Sequence, residues 1–338
     1  MNKVRIIILI VAVSLVLVGG AVFGIIVAKN GFANVNGKME ENTHELTTDF
    51  DKINIDVDLS DIEIIVSDEK KVVCREIEEL KHSVEVVDGT LFIKQENNLK
   101  WYARIGFFGS IKSSVTIYMP AKTFESIQVK GATGDYTVNG AYMFNNAYIK
   151  LSTGDVTSSA NYGEAVITVS TGKVNVNDCT VNKLGLSTST GDINLKNVVV
   201  SDTLVTDSDT GDLTAQNVQV GNEIIAIADT GKFRLTNVTS KDIYLETTTG
   251  KKILTSVIAS GKMVIKASTG DVKFDKCDAA EITVKTSTGD VTGSFLTDKV
   301  FYASSSTSTP NVPKSTTGGL CDVTTSTGDI KLWIDSGE

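Results

Sequence analysis

A short phrase, Thr-Gly-Asp or Thr-Gly-Lys, recurs about every 20 residues from residue 133 to the end of this 338-residue chain. The glycines of the phrase are Gly134, Gly154, Gly172, Gly191, Gly211, Gly231, Gly250, Gly270, Gly289 and Gly328. The last gap, 39 residues, is twice the period, and the segment 308–312 (STPNV) inside it aligns with the phrase and places Pro310 at the glycine position. A fixed period of this length is typical of stacked structural repeats, so the sequence predicts a solenoid with eleven copies.

Apolar residues alternate with polar ones inside each copy, and the same positions stay apolar from copy to copy. Seven residues before the glycine position stand Ile127, Ala147, Ala165, Leu184, Leu204, Ile224, Ile243, Met263, Ile282, Ala303 and Cys321. Alternation with a period of two indicates β-strands. Like residues on successive rungs of a solenoid form ladders about 4.8 Å apart. The prediction is an all-β parallel β-helix (β-solenoid) of about 20 residues per rung, because the spacing fits neither a leucine-rich repeat nor a propeller.

The glycine of each copy is expected at a corner of the rung, because glycine adopts positive φ angles at no steric cost. The threonine before it is present in all eleven copies and is expected to stack as a ladder along that corner. A hydroxyl array that binds ice or another ligand is the weaker alternative, since such arrays usually lie on a flat strand face and this column lies at a bend.

Residues 6–28 contain no charged side chain and are long enough, at about 1.5 Å per residue, to cross a hydrocarbon core of roughly 30 Å. They predict one N-terminal transmembrane helix within residues 1–29. A cleaved signal peptide is the alternative, but its apolar core is usually about 7–15 residues and is followed by a clearer cleavage site. Lys3 and Arg5 precede the span, so the positive-inside rule places residues 30–338 outside the cytoplasm. Residues 30–48 are polar and are expected to form a stalk.

Residues 49–126 are less regular and are interpreted as a β-rich N-terminal part that caps the repeat solenoid of residues 127–338. The segment 53–64 fits the register of the repeat, with Ser60 at the glycine position. Further along, Asp88 and Gly89 stand between two alternating segments and predict a β-hairpin.

The N-terminal apolar segment, the hairpin-bearing segments VDGTLFI and VTIYMP, and the tandem STGD copies ending in CDVTTSTGDIKL together resemble the bacterial putative-adhesin family, also called toast-rack. This family is a domain of unknown function found in Gram-positive cell-envelope proteins, and the resemblance covers roughly residues 49–335. It implies an extracytoplasmic β-solenoid, and for some members a genetic link to envelope-stress signalling. The family has no established catalytic residues, so the resemblance assigns none to this chain. Pro310 and the lysines at three turns depart from the family pattern without changing the predicted fold.

Charge and the scarcity of catalytic side chains limit the possible functions. The chain carries 32 Lys and Arg against 41 Asp and Glu, a formal net charge of −9, so it lacks the basic surface that nucleic-acid binding requires. The repeat region contains one arginine, Arg234, and neither of the chain's two histidines, His44 and His82. Because a polysaccharide-acting β-helix enzyme needs a local cluster of such side chains, no enzyme is predicted, and this activity is the distant alternative.

The four cysteines are Cys74, Cys179, Cys277 and Cys321. Cys179 and Cys277 occupy the same column five rungs apart, roughly 24 Å at 4.8 Å per rung, which exceeds the ~7 Å Cα separation that a disulfide allows. Valine fills this column in the copies between them, so the thiols are expected to be small buried apolar groups. The sequence has no C-x-x-C pair, and a zinc or redox site is not predicted.

The residue after the glycine is aspartate in seven copies and lysine in three. Stacked carboxylates offer oxygen ligands to calcium, but a solvated turn is the preferred interpretation because the lysines partly neutralise the column. One departure from the repeat pattern makes the calcium hypothesis more specific. The serine that usually stands two residues before the glycine is replaced by aspartate in two adjacent copies, at Asp209 and Asp229. With Asp207 on the same strand face and Asp212 after the turn, these carboxylates form a candidate weak site for calcium or a cationic ligand. A solvated acidic corner paired with Lys232 is the alternative, and no other cofactor is predicted.

The combined prediction is a membrane-anchored, extracytoplasmic, non-enzymatic scaffold of the adhesin or cell-envelope type. Its expected partners are the cell membrane, through residues 6–28, and a surface glycan or an envelope protein. An accessory role in an envelope-stress signalling system is the alternative. The sequence does not identify the ligand.

Overall fold

The structure is a computed structural model that describes residues 38–96, 98 and 113–335. Over these ranges it consists of β-strands and one 3-10 turn, Glu78–Leu80. The strands are β1 Glu40–Glu45, β2 Lys52–Val66, β3 Lys71–Glu76, β4 His82–Val87, β5 Thr90–Gln95, β6 Ser113–Met119, β7 Thr123–Thr133, β8 Tyr136–Asn139, β9 Met143–Thr153, β10 Val156–Ser158, β11 Asn161–Thr171, β12 Val174–Thr190, β13 Ile193–Thr210, β14 Leu213–Val220, β15 Glu223–Thr230, β16 Phe233–Ser240, β17 Asp242–Thr249, β18 Lys252–Thr269, β19 Val272–Thr288, β20 Val291–Phe295, β21 Lys299–Ser305, β22 Gly319–Thr327 and β23 Ile330–Ile334. The predicted all-β class is confirmed.

Parallel pairing between strands one period apart builds the solenoid. Strand β9 lies between β7 and β11, and its Ile149 pairs with Val129 on one side and Ile167 on the other. The predicted threonine ladder runs along one corner in the same register, from Thr133 to Thr327. The result is a parallel β-solenoid of about ten turns with about 20 residues per rung, as the repeat predicts.

Most rungs turn at a glycine whose backbone has a positive φ and no space for a side chain. At Gly172 φ is +142°, and a Cβ would lie 2.0 Å from the carbonyl oxygen of Gly154 on the preceding rung. That separation is far inside van der Waals contact, which begins at about 3.5 Å. The predicted corner role of the glycine is therefore confirmed.

A second corner, six residues after the glycine, uses asparagine instead. Asp178, Asn197, Asn217 and Asn237 have φ angles between 51° and 56°, a left-handed conformation that short polar side chains tolerate. Each asparagine donates its Nδ2 hydrogen to the side-chain oxygen on the preceding rung, over 2.7 Å to Asp178 and 2.9 Å to Asn197 and Asn217. This ladder was not predicted from the repeat pattern.

The apolar columns face inward and form one core. One position in these columns is a buried lysine. Lys252 has no exposed surface and stands between Phe233 and Val272 in a column that points inward. Its Nζ donates to Oγ1 of Thr247 and to the carbonyl oxygen of Gly250, the latter over 3.3 Å. Burial lowers the pKa of Lys252 to about 8, and no carboxylate is within ion-pair distance among the described residues.

Strand β2 forms the first rung of the solenoid. Leu59 pairs with Thr133 and Ile62 with Tyr136, so Ser60 occupies the corner position that glycine takes in later rungs. The predicted register of the segment 53–64 is therefore confirmed.

Parallel and antiparallel strands extend the sheet beyond this first rung. Strands β5 and β6 pair in parallel with β2, and β4 joins β5 in antiparallel pairing through the predicted hairpin, where Asp88 and Gly89 have φ angles of 47° and 72°. Strand β3 pairs with β6, and β1 pairs with β3. Because β1 spans Glu40–Glu45, this portion of the expected stalk at residues 30–48 is a strand of the sheet.

At the C-terminal end, the order of the rungs differs from the order of the copies in the sequence. Strand β22 lies between β19 and β21. The copy that ends at Gly328 therefore stacks directly on the copy that ends at Gly289. Strand β21, which precedes β22 in sequence, lies on the outer side of β22. The repeat alignment would pair Asn311 with Asp329, the residue after Gly328. In the structure Asn311 pairs instead with Lys331, two residues later. The placement of Pro310 at a glycine corner is therefore wrong. Proline fixes φ near −65° and lacks the N–H that each corner glycine donates to the next rung.

The predicted transmembrane helix, residues 6–28, lies outside the described residues, as does the first part of the predicted stalk, residues 30–37. Within the ranges that the structure does describe, no helix is both long and apolar enough to cross a membrane.

All four cysteines are buried and unpaired, as the column analysis predicts. Cys179 pairs in register with Val198, and Cys321 with Ile282, so both thiols replace aliphatic groups of the core. Burial raises the pKa of Cys179 to about 12, so at neutral pH the side chain is an uncharged thiol.

Candidate functional site

The strands that lead into the glycine corner form one long flat face of the solenoid. Side chains five and seven residues before the glycine point into the core, so the residue between them, six before the glycine, points outward. On this face, which we call the stripe face, that outward position is apolar in most rungs. We define the apolar stripe as Tyr148, Val166, Val205, Ile225, Tyr244 and Val264.

The stripe runs along the solenoid axis. Tyr148 pairs in register with Val166, and the ladder continues through Gly185 to Val205 and onward to Val264. Six steps of about 4.8 Å give a length of roughly 29 Å. Tyr148, Val166 and Val205 expose 42%, 47% and 39% of their surface. Ile225, Tyr244 and Val264 are half-buried, and Gly185 interrupts the row. This apolar row is a candidate interaction surface.

Rows of polar and charged residues flank the stripe on both sides. Toward the glycine corner, two positions away, the row contains both signs of charge: Lys130, Lys150, Asp207, Glu246, Lys266 and Lys285. Ile227 interrupts that row and widens the apolar surface beside Val205 and Ile225. On the other side, Lys183 pairs with Glu164 over 3.0 Å and Lys262 with Glu281 over 3.0 Å.

Neighbouring charges hold one aromatic ring of the stripe in place. The hydroxyl of Tyr244 donates to Oε2 of Glu246 and accepts a hydrogen bond from Nζ of Lys266 over 3.0 Å. The same Nζ lies 5.0 Å from the centre of the Tyr244 ring, a cation–π contact. These contacts raise the pKa of Lys266, chiefly through the hydrogen bond to Tyr244. Less side-chain entropy is lost on binding when a ring is already fixed.

The four aspartates of the predicted cation site lie on two sides of the corner. Asp207 lies in the charged row of the stripe face between Ser187 and Ile227, and Asp209 and Asp229 precede the corner on neighbouring rungs. Asp212 follows the corner, where its Oδ1 accepts the backbone N–H of Lys232 over 2.8 Å. In the described part of the chain, the four do not form a group of three ligand atoms within 4.8 Å of one another.

The aspartates after the glycine have a structural role that explains their recurrence. Oδ1 of Asp135 accepts the backbone N–H of Asp155 over 2.8 Å, and Oδ1 of Asp155 accepts that of Lys173 over 2.7 Å. Each carboxylate thus satisfies an N–H of the next turn that no strand pairing uses. Two of the three lysines in this column pair with the carboxylate of the following turn, Lys173 with Asp192 over 3.3 Å and Lys251 with Asp271 over 3.1 Å. The preferred interpretation of this column as turn chemistry agrees with these contacts.

A second group of reactive side chains lies at the other end of the chain. Cys74, Glu76 and His82 each place a ligand atom within 4.8 Å of the other two, and all three are buried. The sequence analysis did not predict this cluster, because its members follow no metal-binding spacing. The sequence analysis also missed the apolar stripe, for another reason. The repeat was defined from the inward columns, and the outward position varies more in residue type from rung to rung, so it does not stand out as a column.

Comparison with known proteins identifies a family. Residues 50–236, more than half of the 338-residue chain, match the model of the family described as Toastrack DUF4097. No curated protein shows significant similarity to the chain.

Several solved structures are similar over most of the chain. A putative adhesin from Parabacteroides distasonis ATCC 8503 is 15% identical, with a TM-score of 0.41, over 75% of this chain and 97% of its own. A protein from the same strain described as a putative lipid binding protein is 17% identical, with a TM-score of 0.41, over 76% of this chain and 97% of its own. A putative cell adhesion protein from Clostridium sporogenes ATCC 15579 is 10% identical, with a TM-score of 0.21, over 88% of this chain and all of its own. Because the TM-scores are below 0.5, the functions described for those proteins are not assigned to this chain.

Proposed function

The chain belongs to the Toastrack DUF4097 family, and we propose that it is an adhesin-like interaction scaffold of the bacterial cell envelope. It acts without catalysis, is held at the membrane by residues 6–28, and presents the solenoid outside the cytoplasm. The apolar stripe binds a protein partner in the envelope.

The observation that carries this proposal is the exposure of the stripe itself. A monomer gains nothing by leaving a row of valine and tyrosine side chains in water along roughly 29 Å of a flat face. An apolar centre with a polar rim is the usual anatomy of a protein–protein interface. The flat, parallel ladder also keeps the side chains at fixed spacing, so little order is lost when a partner binds.

The charges beside the stripe favour a protein over a polyanionic surface. A face that binds an acidic polysaccharide or an anionic membrane needs an excess of positive charge. Here Asp207 and Glu246 lie between Lys150 and Lys266 in the flanking row, the row on the other side of the stripe also carries both signs of charge, and the chain as a whole carries a net charge of −9. Mixed charges at a rim instead select a partner of complementary pattern.

Site-directed photo-crosslinking in cells of the native host tests the proposal. A photoreactive amino acid replaces Ile227 beside the stripe, and in a control chain it replaces Thr214, whose side chain points outward from a different face. We expect a discrete protein adduct from position 227 and none from position 214. The adduct is lost when Val205→Asp places a charge in the stripe.

Three results would contradict the proposal: no adduct at position 227, equal adducts at both positions, or an adduct that survives Val205→Asp. Recovery of lipid or polysaccharide in place of protein would also reject the protein partner. Identification of the partner as a membrane-embedded signalling protein would favour the accessory role in envelope-stress signalling.

The location is tested separately. An epitope placed after Glu338 should be digested by protease added to intact cells, while a cytoplasmic marker survives. Removal of residues 1–29 should release the chain from the membrane fraction. Protection of the epitope, or a membrane-bound chain without residues 1–29, would reject the proposed topology.

A further inference from the structure

Both histidines of the chain lie in the N-terminal sheet beside the same cysteine-containing strand. His44 lies on β1 and His82 opens β4, while Cys74 and Glu76 lie on β3. Strands β1 and β3 are antiparallel neighbours, with Asn42 paired to Cys74. The only two imidazoles in 338 residues thus lie near a thiol and a carboxylate, four side chains from three strands that no repeat column explains.

Three of these groups already have the spacing of metal ligands. The ligand atoms of Cys74, Glu76 and His82 lie within 4.8 Å of one another, and the residues are 0%, 2% and 5% exposed. Ligands of a tetrahedral zinc ion, at bond lengths of about 2.0–2.3 Å, stand roughly 3–4 Å apart. Small side-chain shifts would therefore bring the three onto one ion.

The surrounding hydrogen bonds orient these side chains as a second shell does in known metal sites. Nε2 of His82 bonds to Oγ of Ser60 over 2.9 Å, which leaves Nδ1 on the side of Glu76, 2.6 Å from its Oε2. Oε1 of Glu76 accepts a hydrogen bond from Nδ2 of Asn42 over 2.7 Å. A fixed partner on the second ring nitrogen is typical of histidines that bind metal.

His44 supplies a further independent observation. It lies two residues from Asn42 on β1, hence on the same side of the sheet as Cys74, although its ring nitrogens stand outside the group of ligand atoms within 4.8 Å. Its Nε2 is buried and has no hydrogen-bond partner among the described residues. A buried imidazole nitrogen without a partner is costly, and a metal ion would satisfy it.

We propose that Cys74, Glu76, His82 and His44 form a zinc site. One thiolate, two imidazoles and one carboxylate suit zinc, which is borderline in softness and accepts four mixed ligands. On binding, Cys74 loses its proton to solvent, and the neutral imidazole of His82 takes the tautomer whose single proton is on Nε2, where it donates to Ser60, so that Nδ1 is free to bind the metal. The ion would fasten β1 and β4 to β3, so its role is structural.

Some of these residues are also arranged like the catalytic triad of a serine hydrolase. Ser60 is hydrogen-bonded to His82, and His82 is hydrogen-bonded in turn to Glu76. Two contacts argue against a nucleophile. Oγ of Ser60 is also bonded to Ser113 over 2.8 Å and to Gln95 over 2.9 Å, and Ser60 is 3% exposed. A serine enclosed in this way does not reach a substrate.

Cobalt(II) titration of the metal-free full-length chain tests the zinc site. We expect one equivalent to bind, with the absorption band of a cobalt–thiolate bond, and zinc to displace it. Cys74→Ala should abolish the band, while Cys179→Val, which removes another buried thiol from a valine column, should leave it unchanged. His44→Gln should weaken binding at least tenfold and leave the melting temperature of the metal-free protein within about 1 °C, because its Nε2 has no partner to lose.

Absence of a cobalt–thiolate band in the wild type, or an equal band in Cys74→Ala, overturns the site. Unchanged affinity in His44→Gln removes His44 from the ligand set and overturns the four-residue assignment. Should Cys74→Ala fail to fold, the wild-type spectrum and the His44→Gln affinity still decide the question. Failure of this site leaves the stripe proposal untouched, since the two share no residue.

Discussion

The backbone N–H of Asp329 donates to Oδ1 of Asp290 over 2.8 Å, although 39 residues separate the two in sequence. The same bond links successive turns elsewhere in the solenoid, as between Asp155 and Lys173 over 2.7 Å. Asp329 therefore follows Asp290 in space as the next turn, and the segment between β20 and β22 leaves the regular stack. Part of that segment returns as β21 and packs outside β22.

This arrangement predicts that the excursion can be deleted without loss of the solenoid. Removal of residues 297–317, 21 residues, shortens the step from Gly289 to Gly328 to 18 residues, equal to the step from Gly154 to Gly172. We expect cooperative unfolding and an unchanged sheet spectrum by circular dichroism. The melting temperature should fall by about 5–10 °C, because the contact between Phe295 and Phe301 and the buried pair of Lys299 with Asp278 are lost. A deletion variant without cooperative unfolding would show that the outer strand is needed for folding.

A corner glycine and a strand glycine should respond oppositely to alanine. In Gly172→Ala the new Cβ meets the Gly154 carbonyl oxygen at 2.0 Å with φ at +142°, so we expect a loss of more than ~3 kcal/mol in the free energy of unfolding. In Gly185→Ala the nearest atom lies at 3.8 Å, and a gain of up to about 1 kcal/mol is expected from reduced chain entropy. Urea denaturation measures both, and similar values for the two variants would contradict the corner geometry.

The buried Lys252 should lower stability at neutral pH. Its pKa is about 8 in the folded chain against 10.5 in the unfolded chain, so between these values the unfolded state holds more protons and stability rises with pH. Lys252→Met should therefore raise the free energy of unfolding by about 2–3 kcal/mol at pH 7, with a smaller gain at pH 10. Lys196→Met, at an exposed lysine, is the control and should change little. A destabilised Lys252→Met would mean that the bonds to Thr247 and Gly250 outweigh the desolvation of the ammonium group.

The aspartate hypothesis remains a prediction and is tested by calcium. If Asp207, Asp209, Asp212 and Asp229 hold a divalent cation, calcium raises the melting temperature of the wild type and has no such effect on Asp209→Ser/Asp229→Ser. If calcium raises the melting temperature of both proteins equally, or of neither, the hypothesis of a cation site is wrong. The bond from Lys232 to Asp212 favours the second result, because that carboxylate already serves the turn.

The zinc cluster shows why a site can escape sequence analysis. Cys74 and Glu76 are two residues apart and therefore lie on the same side of β3, but His44 and His82 come from other strands. Their approach depends on the pairing of β1 with β3 and on the position of β4. No spacing in the sequence encodes that pairing, since the N-terminal sheet contains no repeat. The apolar stripe, by contrast, is readable from the alternation once the inward columns are known.

The sequence by itself determined the strands, the parallel stacking, the glycine corners and the burial of the cysteines, because a repeated apolar column has one way to be buried, against its own copies on the neighbouring rungs. Only the tertiary structure decided the order of the last two rungs, the second corner built on Asn197 and Asn217, and the meeting of both histidines at one thiol. The order of the last rungs and the meeting of the histidines depend on contacts between segments that do not share the period. Proline fixes φ and has no N–H to donate, so the copy that contains Pro310 does not form a glycine corner, and its strand β21 packs outside β22.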